Sequence, residues 1–263
     1  MIDIPKADYS AIAPNYDAGR RMADELVGKW VGLIRDRGRL NPGDWGLDLG
    51  CGTGRFTIPS AETIGARMVG ADLSAGMLSE AMSKPGADGV RWVRCHAEAP
   101  AFRSESFQCV FMSLLIHHVD DRDRVVGECR RILKPGGVFL MRTSGHDDMA
   151  GALVYRSFPR AWEIDRNRLP DISVIEESMR RSGLVRVRHE KVVQNRYSTV
   201  EEYLERNRRK GISALTLLTD EEFAHGLRAM EHYLRSMSEA DALAELNAET
   251  LTLVIGEKTD QIR

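Results

Sequence analysis

Hydrophobic positions recur at helical spacing in RRMADELVGKWVGLIRDRG, where Met22, Leu26, Val27, Trp30, Val31 and Ile34 share one face and Gly38 can end the helix. The period then shortens. WGLDLG reads as a first strand, followed by a glycine turn and a helix from about Arg55. Ala66–Asp72 reads as a second strand, and Ser74 can cap a helix carrying Met77, Leu78, Ala81 and Met82 that Pro85 and Gly86 end. Val90–Cys95 and Phe107–Ser113 are the third and fourth strands. DRDRVVGECRRILKPGG spaces Val125, Cys129, Ile132 and Leu133 as a helix closed by Pro135 and Gly136, and Val138–Ser144 is the fifth strand.

After Ser144 this alternation breaks. Residues 145–173 are polar with scattered aromatics and show no clear period, before a helix at Val174–Arg181 with Gly183 beyond it. Leu184–Val193 alternates as a strand, residues 199–247 return to helical patterns, and ETLTLVIGEK is a last strand. The pattern predicts an α/β fold: a seven-stranded, mostly parallel sheet with helices on both faces and helical lid insertions after the fifth and sixth strands. The expected organisation is one structural domain with insertions. It comprises an N-terminal helical segment at 1–43, an α/β core at 44–144, a lid at 145–173, a core helix and strand at 174–198, a helical lid at 199–247, and a final strand and tail at 248–263.

Composition narrows the partners. With 263 residues, 43% of them hydrophobic and 29% charged, the chain is an ordinary globular protein able to bury a sizeable core. A net charge of −2 argues against nucleic acid or an anionic membrane held by bulk charge. No stretch approaches the roughly 20 apolar residues of a membrane span, and MIDIPKADYS does not read as a signal peptide, so a cytoplasmic location is expected. Cys51, Cys95, Cys109 and Cys129 form no CxxC pair and have no histidine at ligand spacing, so neither a disulfide nor a metal site is expected.

The candidate chemistry lies in GLDLGCGTGRF. Gly50, Gly52 and Gly54 give Gly-x-Gly-x-Gly, and Arg55 stands where a dinucleotide fingerprint needs its third glycine. A pyrophosphate cradle is therefore disfavoured. LDLGCGTGRF, VGADLSAGML, HAEAPAFRSESFQCVFMSLLIHHVDD and RILKPGGVFLM, in this order over about residues 44–144, resemble the motifs of class I S-adenosylmethionine-dependent methyltransferases, in their small-molecule, type 11-like branch.

This resemblance implies a Rossmann-like sheet and methyl transfer from S-adenosylmethionine to a small-molecule acceptor under the lids, leaving S-adenosylhomocysteine. Asp48 resembles the acid that orients the donor's ammonium group; Gly50, Cys51, Gly52, Thr53 and Gly54 form the turn passing its methionine tail and ribose; and Asp72 resembles the acid receiving both ribose hydroxyls. Leu73 and Met77 would face adenine, Met77 being equally a helix-core residue. Ala97 would offer its amide to the ring and Glu98 its carboxylate to the polar edge, while His96 stands where the family carries an acid. Ser113 and Leu114 would touch the methionine tail. His117 and His118 are candidates for a catalytic base, or for capping and packing beneath the cofactor.

Tyr9 and Tyr16 would close the pocket or anchor the N-terminal segment, and Tyr155, Phe158, Trp162, Tyr197 and Tyr203 would shape a substrate cavity or form core. SLLI, in place of an Asn- or Asp-Pro-Pro-aromatic run, argues against methylation of a nucleobase amine. RRSGLVRVRHEK and LERNRRKG are basic, and Arg186 and Arg188 share one strand face; these runs read as solvated or as an anion site, which would suit an acidic small molecule or a nucleotide better than a long polymer. Two other readings stay open: a binding protein that does not turn the cofactor over, and an enzyme modifying RNA or protein. A homodimer also stays open.

Overall fold

The computed structural model describes residues 22–259. Helix α1 (Asp24–Gly38) buries the face read from the sequence, with Leu26, Trp30, Val31 and Ile34 against the sheet. Gly38 is its last residue, and the left-handed residue that ends it is Arg39, at φ 50°. The glycine serves contact instead, because a Cβ there would lie 2.6 Å from Cys109 Sγ.

Seven strands form one sheet: β1 (Trp45–Leu49), β2 (Arg67–Asp72), β3 (Arg91–Arg94), β4 (Phe107–Ser113), β5 (Leu133–Thr143), β6 (Leu184–Val193) and β7 (Thr250–Lys258), in the order β3-β2-β1-β4-β5-β7-β6. The pairs from β3 through β5 are parallel, whereas β7 runs antiparallel to both β5 and β6. Helices α2 (Thr57–Ile64), α3 (Ala75–Met82) and α4 (Arg122–Ile132) connect the parallel strands, which gives the layered α/β core the sequence predicted. One face packs Trp30, Ile34, Ile58, Met68, Phe111 and Leu140; the other packs Leu47, Val110, Val125, Cys129, Ile175 and Met179.

Two details differ from the sequence reading. Strand β5 starts at Leu133, because LKPGG does not leave the sheet. Leu133 pairs with Phe107 and Val138 with Cys109, so the intervening residues form a bulge in which Gly136 takes φ 73°. In β6 the register also shifts between Val185 and Arg188, with Arg186 at φ 48°. Arg186 and Arg188 donate to Glu257 at 2.6 and 3.3 Å, and Arg39 pairs with the same carboxylate at 2.8 Å. Burial pushes Glu257 up, but the hydrogen bonds from Arg186 and Arg39 outweigh it and hold the carboxyl below the usual glutamate range. The two arginines thus bind an internal acid.

The segment after β5 folds into α5 (His146–Gly151), α6 (Leu153–Ser157) and α7 (Pro159–Arg168), ahead of α8 (Ile172–Arg181) on the sheet. The segment after β6 gives α9 (Val200–Arg208), α10 (Asp220–Arg235) and α11 (Glu239–Asn247). These two segments share a third apolar cluster that includes Phe158, Ala161, Tyr203, Leu215, Met230 and Leu246. They therefore form a helical cap with its own core. Asp148 in α5 ties the cap to the sheet: it accepts from Gly145 N at 2.7 Å, Lys191 Nζ at 2.7 Å and Thr252 Oγ1 at 2.6 Å, and from the Thr250 hydroxyl. All four cysteines are free thiols.

Candidate functional site

The chain leaves β1 toward β2 and β3 on one side and returns to β4 on the other, so the strand order reverses between β1 and β4. Ligands of open α/β sheets bind at such a point, outside the carboxyl ends of the strands. A cavity of about 640 Å³ lies there, between these ends and the cap, within the range of about 300–1,000 Å³ usual for small-molecule sites.

Its floor is the glycine turn. Gly50 and Cys51 donate their amides to Ala71 O at 2.7 and 3.0 Å, which ties the turn to the end of β2. Gly50, Gly52 and Gly54 take φ 76°, 53° and 77°, a region that disfavours any side chain. A Cβ at Gly50 or Gly54 would collide at 2.7 Å with Leu115 or Trp92, whereas at Gly52 it would project into open space. Gly52 therefore leaves backbone bare toward the cavity. Cys51 and Thr53 also line it, while Gly54 stays outside its wall.

The two acids flank this turn. Asp48 is buried; its Oδ2 accepts from Thr57 Oγ1 at 2.6 Å, and its Oδ1 has no hydrogen-bond partner. Burial pushes its pKa up to about 7; the Thr57 hydrogen bond acts against the shift and the nearby Asp72 charge adds to it. Asp72, at the end of β2, accepts from Gly52 N at 2.9 Å and from Ser74 N at 2.8 Å. Each of its oxygens keeps a further lone pair for a ligand.

Beyond Asp72, Leu73 is 55% exposed and Met77 is 2% exposed, and both line the cavity. Met77 thus packs in the helix core and forms the cavity wall at once. Ala97 and His96 also line it. Glu98 does not. Its Oε1 accepts the amides of Asp120 and Asp121 at 2.7 and 3.1 Å, so its carboxylate holds the loop before α4.

At the end of β4, Ser113 Oγ accepts from Arg142 at 3.0 Å, and Leu114 sits at φ 51° with its amide donating to Arg142 O at 2.8 Å. A left-handed leucine on a cavity wall is a local strain of the kind found at functional sites. Ser113, Leu114, His117 and His118 all line the cavity, and the two imidazoles lie 3.9 Å apart between centroids. No group of three or more His, Cys, Asp or Glu residues suited to a metal occurs among the described residues. Tyr9 and Tyr16 lie outside those residues.

The cap supplies the opposite wall, which sequence reasoning largely missed. Of the five aromatics named from the sequence, Tyr155 alone lines the cavity, and its hydroxyl donates to Asp165 at 2.8 Å. Phe158 and Tyr203 are cap core; Trp162 meets the rings of His146 and Tyr155; Tyr197 accepts from Arg206 at 2.7 Å. Gln194, Arg196, Arg206 and Glu249 complete this wall. Burial pushes the Tyr155 hydroxyl and the Glu249 carboxyl up, and pushes Arg196 down with help from the Arg206 charge. Arg206 falls in the basic run LERNRRKG, whereas no local pattern marks Arg196 or Glu249; the three line one wall only when the segments after β6 and before β7 fold together.

The family described as Methyltransferase domain matches residues 47–141. Over 188 residues, 68% of this chain and 65% of the relative, it is 29% identical to a malonyl-[acyl-carrier protein] O-methyltransferase of Methylococcus capsulatus. A ubiquinone/menaquinone biosynthesis C-methyltransferase of Xanthomonas oryzae is 33% identical over 136 residues, 49% of this chain and 54% of the relative. The chain thus spans between half and two thirds of these relatives' length. Among solved structures, a Haemonchus contortus phosphoethanolamine N-methyltransferase in complex with S-adenosyl-L-methionine superposes with a TM-score of 0.59 at 20% identity, covering 97% of this chain and 60% of that one. No helix among the described residues is long and apolar enough to cross a membrane. Residues 47–141 thus match a methyltransferase domain, and the chain shares the fold of a solved methyltransferase.

Proposed function

We propose that the chain transfers a methyl group from S-adenosylmethionine to a small molecule held under the cap. The observation carrying this reading is the pair Asp48 and Asp72, set on adjacent strand ends around the bare Gly52 turn at one end of a cavity that the cap closes at the other. The residues present fit that cofactor. Asp48 Oδ1 is a buried acceptor without a partner, suited to an ammonium group directly or through water. Asp72 offers one oxygen to each of two neighbouring hydroxyls, and would repel a phosphate in their place.

When bound, S-adenosylmethionine supplies a methyl group on a cationic sulfur with an excellent leaving group. The chain's contribution is then mainly alignment and exclusion of water. Leu73, Met77 and the Ala97 amide form the adenine wall. His96 Nδ1 accepts from Glu98 N at 3.3 Å, which in the neutral ring leaves Nε2 as a donor, better matched to an adenine ring nitrogen than to its amino group. Ser113 and Leu114 border the methionine tail, and His117 or His118 takes a proton where the acceptor arrives protonated.

Incubation with methyl-labelled S-adenosylmethionine and a cell extract, followed by size fractionation, tests the reading. Label is expected among small molecules. Label in RNA or protein would favour a macromolecular acceptor, and S-adenosylhomocysteine binding without label in any fraction would favour a non-catalytic binding protein.

A further inference from the structure

The cap wall holds charges that the methyl-donor end does not use. Arg196 follows β6, Arg206 belongs to α9 and Glu249 precedes β7, and all three line the cavity. Arg206 is anchored by its hydrogen bond to the Tyr197 hydroxyl at 2.7 Å, and the Arg196 guanidinium lies 6.0 Å from the centre of the same ring. Glu249 Oε1 is buried without a hydrogen-bond partner.

Neighbouring charges are otherwise matched. Asp165 takes the Tyr155 hydroxyl and faces Arg168 at 3.6 Å, Arg156 pairs with Glu245, and Asp148 holds Lys191. Two guanidinium groups against one carboxylate leave this wall with one surplus positive charge. Such a charge is costly away from water unless an anion meets it. Planar guanidinium donors match a carboxylate's two oxygens.

We propose that Arg196 and Arg206 bind a carboxylate of the methyl acceptor, making the substrate class a small carboxylic acid. This rests on the small-molecule reading above and adds the acceptor's charge to it. A monoanion cancels the surplus; a neutral molecule leaves it, and a phosphate dianion reverses it. Glu249 sets this preference by neutralising one arginine.

The test is calorimetry on the protein saturated with S-adenosylhomocysteine, using hexanoate, hexanamide and hexyl phosphate as probes. Hexanoate is expected to bind more tightly than either of the others. Arg196→Gln is expected to weaken hexanoate about tenfold, the loss of one charge-assisted contact, while keeping S-adenosylhomocysteine binding. Glu249→Gln is expected to shift hexanoate the other way, toward tighter binding, a gain that a misfolded variant could not produce. Hexanoate binding no better than hexanamide, hexyl phosphate binding best, or an Arg196→Gln variant with unchanged hexanoate affinity would each overturn the proposal. Failure of the wild type to bind S-adenosylhomocysteine would instead count against the methyl-donor reading, and that titration is read first and separately.

Discussion

Asp48 is held in a position that disfavours its own charge. Its pKa of about 7 lies far above the ordinary 3.8 because burial at the end of β1 penalises the charged form by more than the Thr57 hydroxyl's hydrogen bond favours it. Between those two values the folded protein keeps a proton that the unfolded chain releases, so the contribution of Asp48 to stability falls as pH rises from about 4 to about 7 and is level above that. Thermal unfolding of the ligand-free protein at pH 5 and pH 8 should therefore show a larger loss for the wild type than for Asp48→Asn. An ammonium group brought against the carboxylate would favour the charged form, so binding of S-adenosylhomocysteine below pH 7 should release a proton. Calorimetric enthalpies at pH 6 should then change with the ionisation enthalpy of the buffer in the wild type and not in Asp48→Asn; equal behaviour of the two would remove Asp48 from the ammonium site.

Among the elements, those of the core were legible because each carries a simple period and its own boundary signal. Ser74 caps α3 by accepting from Met77 N, as the sequence suggested. The strands that alternate or run apolar all appear. The boundaries that moved did so for tertiary reasons: LKPGG stays in the sheet because Leu133 finds Phe107 as a partner, and Arg39 ends α1 with Glu257 as its counter-charge. The cap helices α5 to α7 were not legible, since they are short and their apolar face is defined only against the segment that follows β6. Gly226 in α10 marks that contact, because a Cβ there would lie 2.2 Å from Phe158 Cδ1 and 2.8 Å from Ser157 O. Gly226→Ala should destabilise the cap by about 1–3 kcal/mol, the usual range for overpacking. Limited proteolysis should then cut within residues 145–247 faster in the variant while the 44–144 core resists; unchanged cleavage would mean that the two segments move apart without cost.

For the whole molecule, the fold brings the glycine turn with its two acids and the charged wall of the cap onto one cavity. The glycine turn and its acids were readable because they cluster in sequence, within a few positions of two strand ends. The cap wall was legible only in part: Tyr155 and the basic run holding Arg206 stood out in the sequence, but Gln194, Arg196 and Glu249 come from separate segments and join them only in the folded cap. Glu98 shows the reverse limit: it falls in the expected motif, yet its carboxylate is occupied by the amides of Asp120 and Asp121. The proposed methyl transfer depends on the glycine turn and its two acids holding the methyl donor. Calorimetric titration with S-adenosylhomocysteine, comparing the wild type with Asp72→Ala, tests this most directly. One site is expected in the wild type and a loss of about a hundredfold or more in the variant, as two charge-assisted hydrogen bonds disappear. No binding to the wild type, or equal affinity in the two proteins, would contradict it.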